Sequence, residues 1–337
     1  MTVYNANVVS EIIIEEFHSQ SLEGNPLDDP ATRRVPVYLP AENDASARYP
    51  TLYLLPSFGN RGLKFLNDDL WEENIQQRLD RLIAAGSVRP MIVVMPDAST
   101  RYGGSQYVNS SATGNYEDHI LELVAYIDGK YQTRAEPGFR AVAGHSSGGF
   151  GALWLGMRHP DVFGLVADHS GDKYFEMEFK PWFGELLRYY ERVGDEGLRA
   201  LLQDPRAALR AGAPHEVLSQ LATAAAYSPN PKSSFGFDLP VDLKTGEHKP
   251  DVWERWLEFD PLLIVERHAD ALRALRLLYL DCAKGDEYNL LYGARLLTEK
   301  LRKLNIPFHY EEYEGTHRYM RHRYDVSFAA LSAAMAD

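Results

Sequence analysis

Cysteine is nearly absent from the 337 residues: Cys282 stands alone, so no internal disulfide can form. A lone thiol fits a reducing compartment. Cys282 ends the apolar run "LRLLYLDC", where it reads as a small buried hydrophobe rather than a nucleophile. Positive charge is also short, with 35 Lys and Arg against 48 Asp and Glu and a net charge of -13. A nucleic-acid surface needs basic patches that displace counterions from phosphate, so this balance argues against nucleic acid and against anionic membranes. No segment approaches the roughly 18 uninterrupted apolar residues of a membrane-spanning helix. The N-terminus "MTVYNANVVSEIIIEEFHSQ" lacks a basic stretch followed by a long apolar one. No secretory signal is expected there, and the cytoplasm is favoured. Internal repeats are missing. The histidines are scattered, and neither H-E-x-x-H nor C-x-x-C occurs, so no metal and no cofactor is expected.

The composition that remains, 45% hydrophobic and 25% charged, is that of a globular protein with a packed core. A small-molecule substrate is the expected partner, and a homo-oligomer is compatible with these counts. Short apolar segments alternate with helical patterns over most of the length, the signature of a mostly parallel sheet with helices on both faces. "EIIIEEF" and "RRVPVYLP" read as early strands, antiparallel at one edge. "TLYLLP", "MIVVMPD", "FRAVAG", "GLVADHSG", "LRLLYLD" and "PFHYEEYEG" follow as further strands. Helices are expected over "NDDLWEENIQQRLDRLIAAG", "NYEDHILELVAYIDGKY", Pro261 to Leu272 and Leu290 to Lys303, with one more at the end of the chain. The alternation stops between Asp172 and Phe259, a block rich in aromatics and helical segments. The sheet resumes after it. Residues 1–171 and 260–337 are therefore read as one core, and residues 172–259 as an inserted helical lid.

Chemistry concentrates in "AVAGHSSGGFGALWLG", residues 141–156. Only Ser146 occupies the frame G-x-S-x-G, between Gly144 and Gly148. In that frame a strand stops, the nucleophile sits in a strained turn and a helix begins at once, so the hydroxyl projects above the sheet. A tight turn without chemistry is the alternative. The strand before Ser146 and the helix after it favour the catalytic reading.

A serine hydroxyl needs a base. His317, in "EGTHRY" after the last expected strand, is the best placed of 11 histidines. The acid that orients it should follow the penultimate strand, where "LDCAKGDEYNL" offers Asp281, Asp286 and Glu287. Asp286 is favoured over Glu287, because Gly285 lets the loop turn over the sheet edge. Negative charge on a substrate carbonyl oxygen requires N–H donors. Ser147 supplies one through its backbone and Phe58, with Ser57 next, the other. Substrate contacts are expected from Ser57, from Tyr107 in "YGGSQYVNS" and from Trp182 and Phe183 in the lid. Phe175, Phe179, Trp182 and Phe183 share the spacing of one helix face, which core packing explains equally well. His169 is a pocket candidate for which burial is the alternative.

Taken together, "YPTLYLLPSFG", "MPDASTRYGGSQYVNSSATGNYEDHI", "AVAGHSSGGFGALWLGMRHPDVFG", "DHSGD", "GDEYNLLYGARLL" and "YEEYEGTH" resemble the "Putative esterase" family of α/β-hydrolases. That family includes esterase D, S-formylglutathione hydrolases, enterochelin and feruloyl esterases, and mycolyl transferases. The likeness covers nearly the whole chain. It implies an α/β-hydrolase fold, with Ser146, Asp286 and His317 at the family's triad positions and Phe58 and Ser147 at its oxyanion positions. The activity implied is that of a serine carboxylesterase on small or aromatic acyl esters. Thioester hydrolysis on S-formylglutathione and acyl transfer to a sugar are the alternatives, and a non-catalytic binding protein would not need all three triad members. Two departures stand out: Pro56-Ser57 replaces the His-Gly of many relatives, and the lid is longer than in compact feruloyl esterases.

Overall fold

The computed structural model of the chain describes residues 10–41 and 47–335. The reading of the N-terminus as free of a signal falls partly on residues 1–9, outside the described residues. Each expected apolar run forms a strand of one sheet: β1 (Glu11–His18), β2 (Thr32–Leu39), β3 (Thr51–Leu55), β4 (Ile92–Val94), β5 (Arg140–His145), β6 (Leu165–His169), β7 (Leu277–Ala283) and β8 (His309–Tyr313). The order across the sheet is β1-β2-β4-β3-β5-β6-β7-β8. Strand β2 runs antiparallel to both of its neighbours, and every other pair is parallel.

The chain leaves β3 toward β4 on one side and returns to β5 on the other. At such a reversal of strand order, the loops leaving the carboxyl ends diverge and open a crevice. Ser57 and Phe58 follow β3, and Ser146 follows β5.

The principal helices are α1 (Ile75–Ala84), α2 (Tyr116–Lys130), α3 (Ser147–Arg158), α4 (Lys180–Gln203), α5 (His215–Tyr227), α6 (Pro250–Leu257), α7 (Leu290–Lys303) and α8 (Arg323–Ala334). Side chains of a strand alternate between faces, and the core divides accordingly. Tyr53, Leu55, Val142 and Val166 pack with Ile120, Leu123 and Leu153 of α2 and α3. Leu52, Leu54, Ala141, Ala143 and Leu165 pack with Leu79 and Leu82 of α1 and with Phe328 and Leu331 of α8. Helices thus cover both faces.

Two helices depart from the sequence expectation. The acidic run from Asn67 is not helical up to Glu73. Instead a capping box starts α1 at Ile75: Asn74 Oδ1 accepts from Gln77 N at 3.0 Å, and Gln77 Oε1 accepts from Asn74 N at 2.9 Å. The single helix expected over 261–272 is instead three short pieces, Pro261–Ile264, a 3₁₀ turn at Val265–His268 and Ala269–Ala274. The β-branched pair Ile264 and Val265 stands at the first junction, where crowding against the preceding turn disfavours a continuous α-helix. Between β6 and β7 the chain adds no strand to the sheet and contains α4, α5 and α6.

Candidate active site

Ser146 has φ 60° and ψ -129°, between the end of β5 and the first residue of α3. A positive φ is costly for a residue with a side chain and persists only where surroundings impose it. Here they do. The Ser146 N–H donates to His169 O at 2.9 Å, and its carbonyl accepts from Phe150 N at 2.9 Å. A Cβ on Gly144 would lie 2.3 Å from Gly148 O, and one on Gly148 would lie 2.3 Å from Leu55 O. Strand and helix therefore approach so closely that only glycine fits on either side of the serine.

The imidazole of His317 reaches the site from the loop after β8. Its Nδ1 lies 2.8 Å from Asp286 Oδ2, and the Asp286 carboxylate is wholly buried. An ionised carboxylate can only accept, so the imidazole proton sits on Nδ1 and Nε2 is left with a free lone pair. Asp286 Oδ1 is occupied by the Tyr288 N–H at 3.0 Å. Glu287 turns the other way and accepts the main-chain N–H of His317 at 2.8 Å. The ring of His317 is flanked by His145 at 4.4 Å and Tyr288 at 4.8 Å between centroids. Burial, with the neighbouring His317 ring second, holds His145 well below the usual histidine range, so it remains neutral. Gly285 serves this arrangement by close approach rather than by flexibility: its N–H donates to Gly315 O at 3.0 Å, and a Cβ there would lie 2.7 Å from that oxygen.

Ser146 and His317 line one cavity of 610 Å³. Phe58, Ser147, Ser57 and Trp182 line it as well. Among the described residues, neither the Phe58 nor the Ser147 main-chain N–H has a hydrogen-bond acceptor. Two unsatisfied donors beside a serine can stabilise an oxyanion. Ser57 ties this loop to the elbow by donating to His145 O at 3.0 Å. The Phe58 ring is wedged against Gly103 and Gly104, where an added Cβ would come within 2.6 and 2.8 Å of it. Among the described residues, no group of His, Cys, Asp and Glu could hold a metal. Among the same residues, no helix is long and apolar enough to cross a membrane.

Three residues expected at the substrate lie outside the cavity wall. Tyr107 is buried and donates its hydroxyl to Pro56 O, so it braces the loop that carries Phe58. His169 is fully buried, with Nδ1 2.8 Å from Asp281 Oδ1 and Nε2 2.9 Å from Ser327 Oγ. It joins β6 to β7 and α8. Phe183 packs against Trp253 and Trp256 of α6. The expected aromatic face is split because the chain forms a short helix, Phe175–Glu178, and then restarts at Lys180. Phe179 and Trp182 reach the cavity, while Phe175 stacks on Tyr227 in the core. Sequence reasoning did not single out Gln106, Glu178, Gln220 or Tyr288, which also line the cavity. They come from separate segments, and no spacing joins them.

The sequence profile of the "Putative esterase" family matches residues 30–333. Over 136 residues, 40% of this chain, the sequence is 32% identical to an endo-1,4-beta-xylanase/feruloyl esterase of Xylanibacter ruminicola, of which the match spans 18%. Over 152 residues, 43% of this chain, it is 35% identical to esterase Rv1288 of Mycobacterium tuberculosis, of which it spans 30%. The chain thus spans less than a third of these relatives. Among solved structures, a ferulic acid esterase superposes with a TM-score of 0.61 at 21% identity, covering 97% of this chain and 100% of that one. An S-formylglutathione hydrolase from Staphylococcus aureus gives 0.57 at 16% identity, covering 97% and 99%. These likenesses carry the fold. The family match runs through nearly the whole sheet, the elbow and all that lies between β6 and β7, and the chain belongs to the "Putative esterase" family, built on the α/β-hydrolase fold.

Proposed function

We propose that the chain is a serine carboxylesterase acting on esters of small or aromatic acids. The observation that carries this reading is the convergence, in one cavity, of an elbow serine with an imidazole whose Nδ1 is held by a buried carboxylate. His317 Nε2 takes the proton of Ser146 Oγ as that oxygen attacks the ester carbonyl. The Phe58 and Ser147 N–H groups receive the charge that develops on the carbonyl oxygen. Collapse expels the alcohol, which leaves with the proton from Nε2, and the acyl group remains on Ser146. Water then attacks with His317 again as base, and the acid departs. Asp286 stabilises the imidazolium in both halves, and Glu287 keeps the main chain of His317 in place.

The insertion roofs this chemistry. Phe179 and Trp182 enter the cavity from it, and they supply the apolar surface that an acyl chain needs to leave water. The feruloyl esterase named among the relatives supports an aromatic acyl group. A panel of p-nitrophenyl esters, run beside S-formylglutathione, tests the reading. Ester turnover that Ser146→Ala abolishes supports it; turnover confined to the thioester replaces it, and no turnover at all refutes it.

A further inference from the structure

Part of the cavity wall is polar and buried. Gln106 from the loop after β4, Asp172 after β6, Glu178 at the end of its short helix and Gln220 on α5 all line the cavity. They are only 4, 5, 7 and 3% exposed. Gln106 Nε2 donates to Asp172 Oδ2 at 2.7 Å, and Gln220 Nε2 donates to Phe179 O at 3.3 Å. Carboxylates and carbonyls only accept, so both amides are pinned with their NH2 groups toward the protein. Their oxygens are left over. Gln106 Oε1, Gln220 Oε1 and Glu178 Oε2 have no hydrogen-bond partner among the described residues. Burial, and then the charge of Asp172, push the Glu178 carboxyl well above the usual carboxylate range. Glu178 therefore keeps a proton, which Asp172 can accept, and its other oxygen remains an acceptor.

Buried acceptors without donors are costly, and native proteins seldom leave several together unless something arrives to satisfy them. An alkyl group placed here would seal them off from water. A group bearing hydroxyls would pair them. We infer that Gln106, Glu178 and Gln220 form a subsite that selects esters carrying a hydroxyl group over their hydrocarbon counterparts. The inference deepens the esterase reading above and rests on it. The hydroxyl can belong to the acyl part or to the alcohol, and the two sources are separable.

The test uses matched pairs with the intact enzyme. On the acyl side, p-nitrophenyl 3-(4-hydroxyphenyl)propanoate is compared with p-nitrophenyl 3-phenylpropanoate. On the alcohol side, glycerol monoacetate is compared with propyl acetate. In one arm kcat/KM for the hydroxylated member should exceed that of its partner by about tenfold or more, and that arm identifies the source. Gln106→Met and Gln220→Leu, which remove an acceptor at similar volume, should each bring the ratio toward one. A wild-type ratio near one in both arms overturns the subsite while leaving the esterase standing. No turnover of any ester overturns both. A preference that survives in folded Gln106→Met and Gln220→Leu enzymes overturns the assignment to these residues, and the wild-type ratio decides the matter should either variant fail to fold.

Discussion

Adjacent carboxylates divide the support of His317: Asp286 Oδ2 meets its Nδ1 at 2.8 Å, and Glu287 Oε2 meets its main-chain N–H at 2.8 Å. Only the first contact acts on the imidazole. Asp286→Asn can turn an amide N–H toward Nδ1, which moves the ring proton to Nε2 and removes the lone pair that the serine needs. By analogy with such substitutions in serine proteases, kcat should fall by about 10³–10⁴-fold. Glu287→Gln keeps an acceptor for the main chain and should cost less than about tenfold. Steady-state kinetics on one p-nitrophenyl ester compares them, and equal losses would remove Asp286 from the proposed role.

The elbow separates two neighbouring serines just as sharply. Ser146→Ala should abolish turnover and labelling by a fluorophosphonate. Ser147→Ala keeps its main-chain donor and should retain most activity. Mass spectrometry of the labelled peptide identifies the modified residue. Label on Ser147 would contradict the assignment.

How far this site could be read in advance depended on whether its parts are local. Most of the eight strands are short apolar runs bounded by turns, and the span of α7, Leu290–Lys303, is plain in its periodicity. The elbow is legible too, because its G-x-S-x-G frame is local and Gly144 answers a contact with Gly148 four residues on, although Gly148 itself yields to Leu55 of β3. What escaped depends on distant partners. His169 and Tyr107 stand beside motif residues in the chain, yet Asp281, Ser327 and Pro56 draw them into the framework. The aromatic stripe reads as one helix face because nothing in its spacing reveals the break at Phe179. Gln106, Glu178 and Gln220 come to share the cavity wall only after a loop and two helices have been placed by the sheet.

That break yields a prediction about selectivity. Trp182 lines the cavity with its ring 5.8 Å from Tyr288, whereas Phe183, one residue on, is buried among Trp253 and Trp256. Trp182→Ala should change the ratio of kcat/KM between a short and an aromatic acyl ester. Phe183→Ala should leave that ratio alone and lower stability by about 3–5 kcal/mol, as other large core truncations do. Kinetics and chemical denaturation of both variants read these effects. A ratio moved only by Phe183→Ala would mean that the insertion, rather than its cavity face, sets selectivity.

Stability should also respond to pH through a histidine that does not line the cavity. His119 on α2 is fully buried, with Phe17 and Tyr116 rings 5.6 and 6.0 Å away. Its Nε2 donates to Asp97 O at 3.2 Å, and its Nδ1 has no partner among the described residues. Burial, reinforced by the charge of Arg33, lowers its pKa to about 4 from the ordinary 6.5. Between those values the unfolded chain binds a proton that the folded protein refuses. The contribution of a neutral His119 is therefore complete above pH 6.5, shrinks as pH falls, and is lost by about pH 4. At 1.36 kcal/mol per unit, the whole window amounts to about 3 kcal/mol. His119→Gln can keep the donor to Asp97 O and cannot titrate. Denaturant unfolding from pH 7 to pH 4 should thus show a smaller loss of stability in the variant than in the wild type. Parallel curves would mean that His119 is protonated in the folded protein or is hydrated, and the linkage would fall.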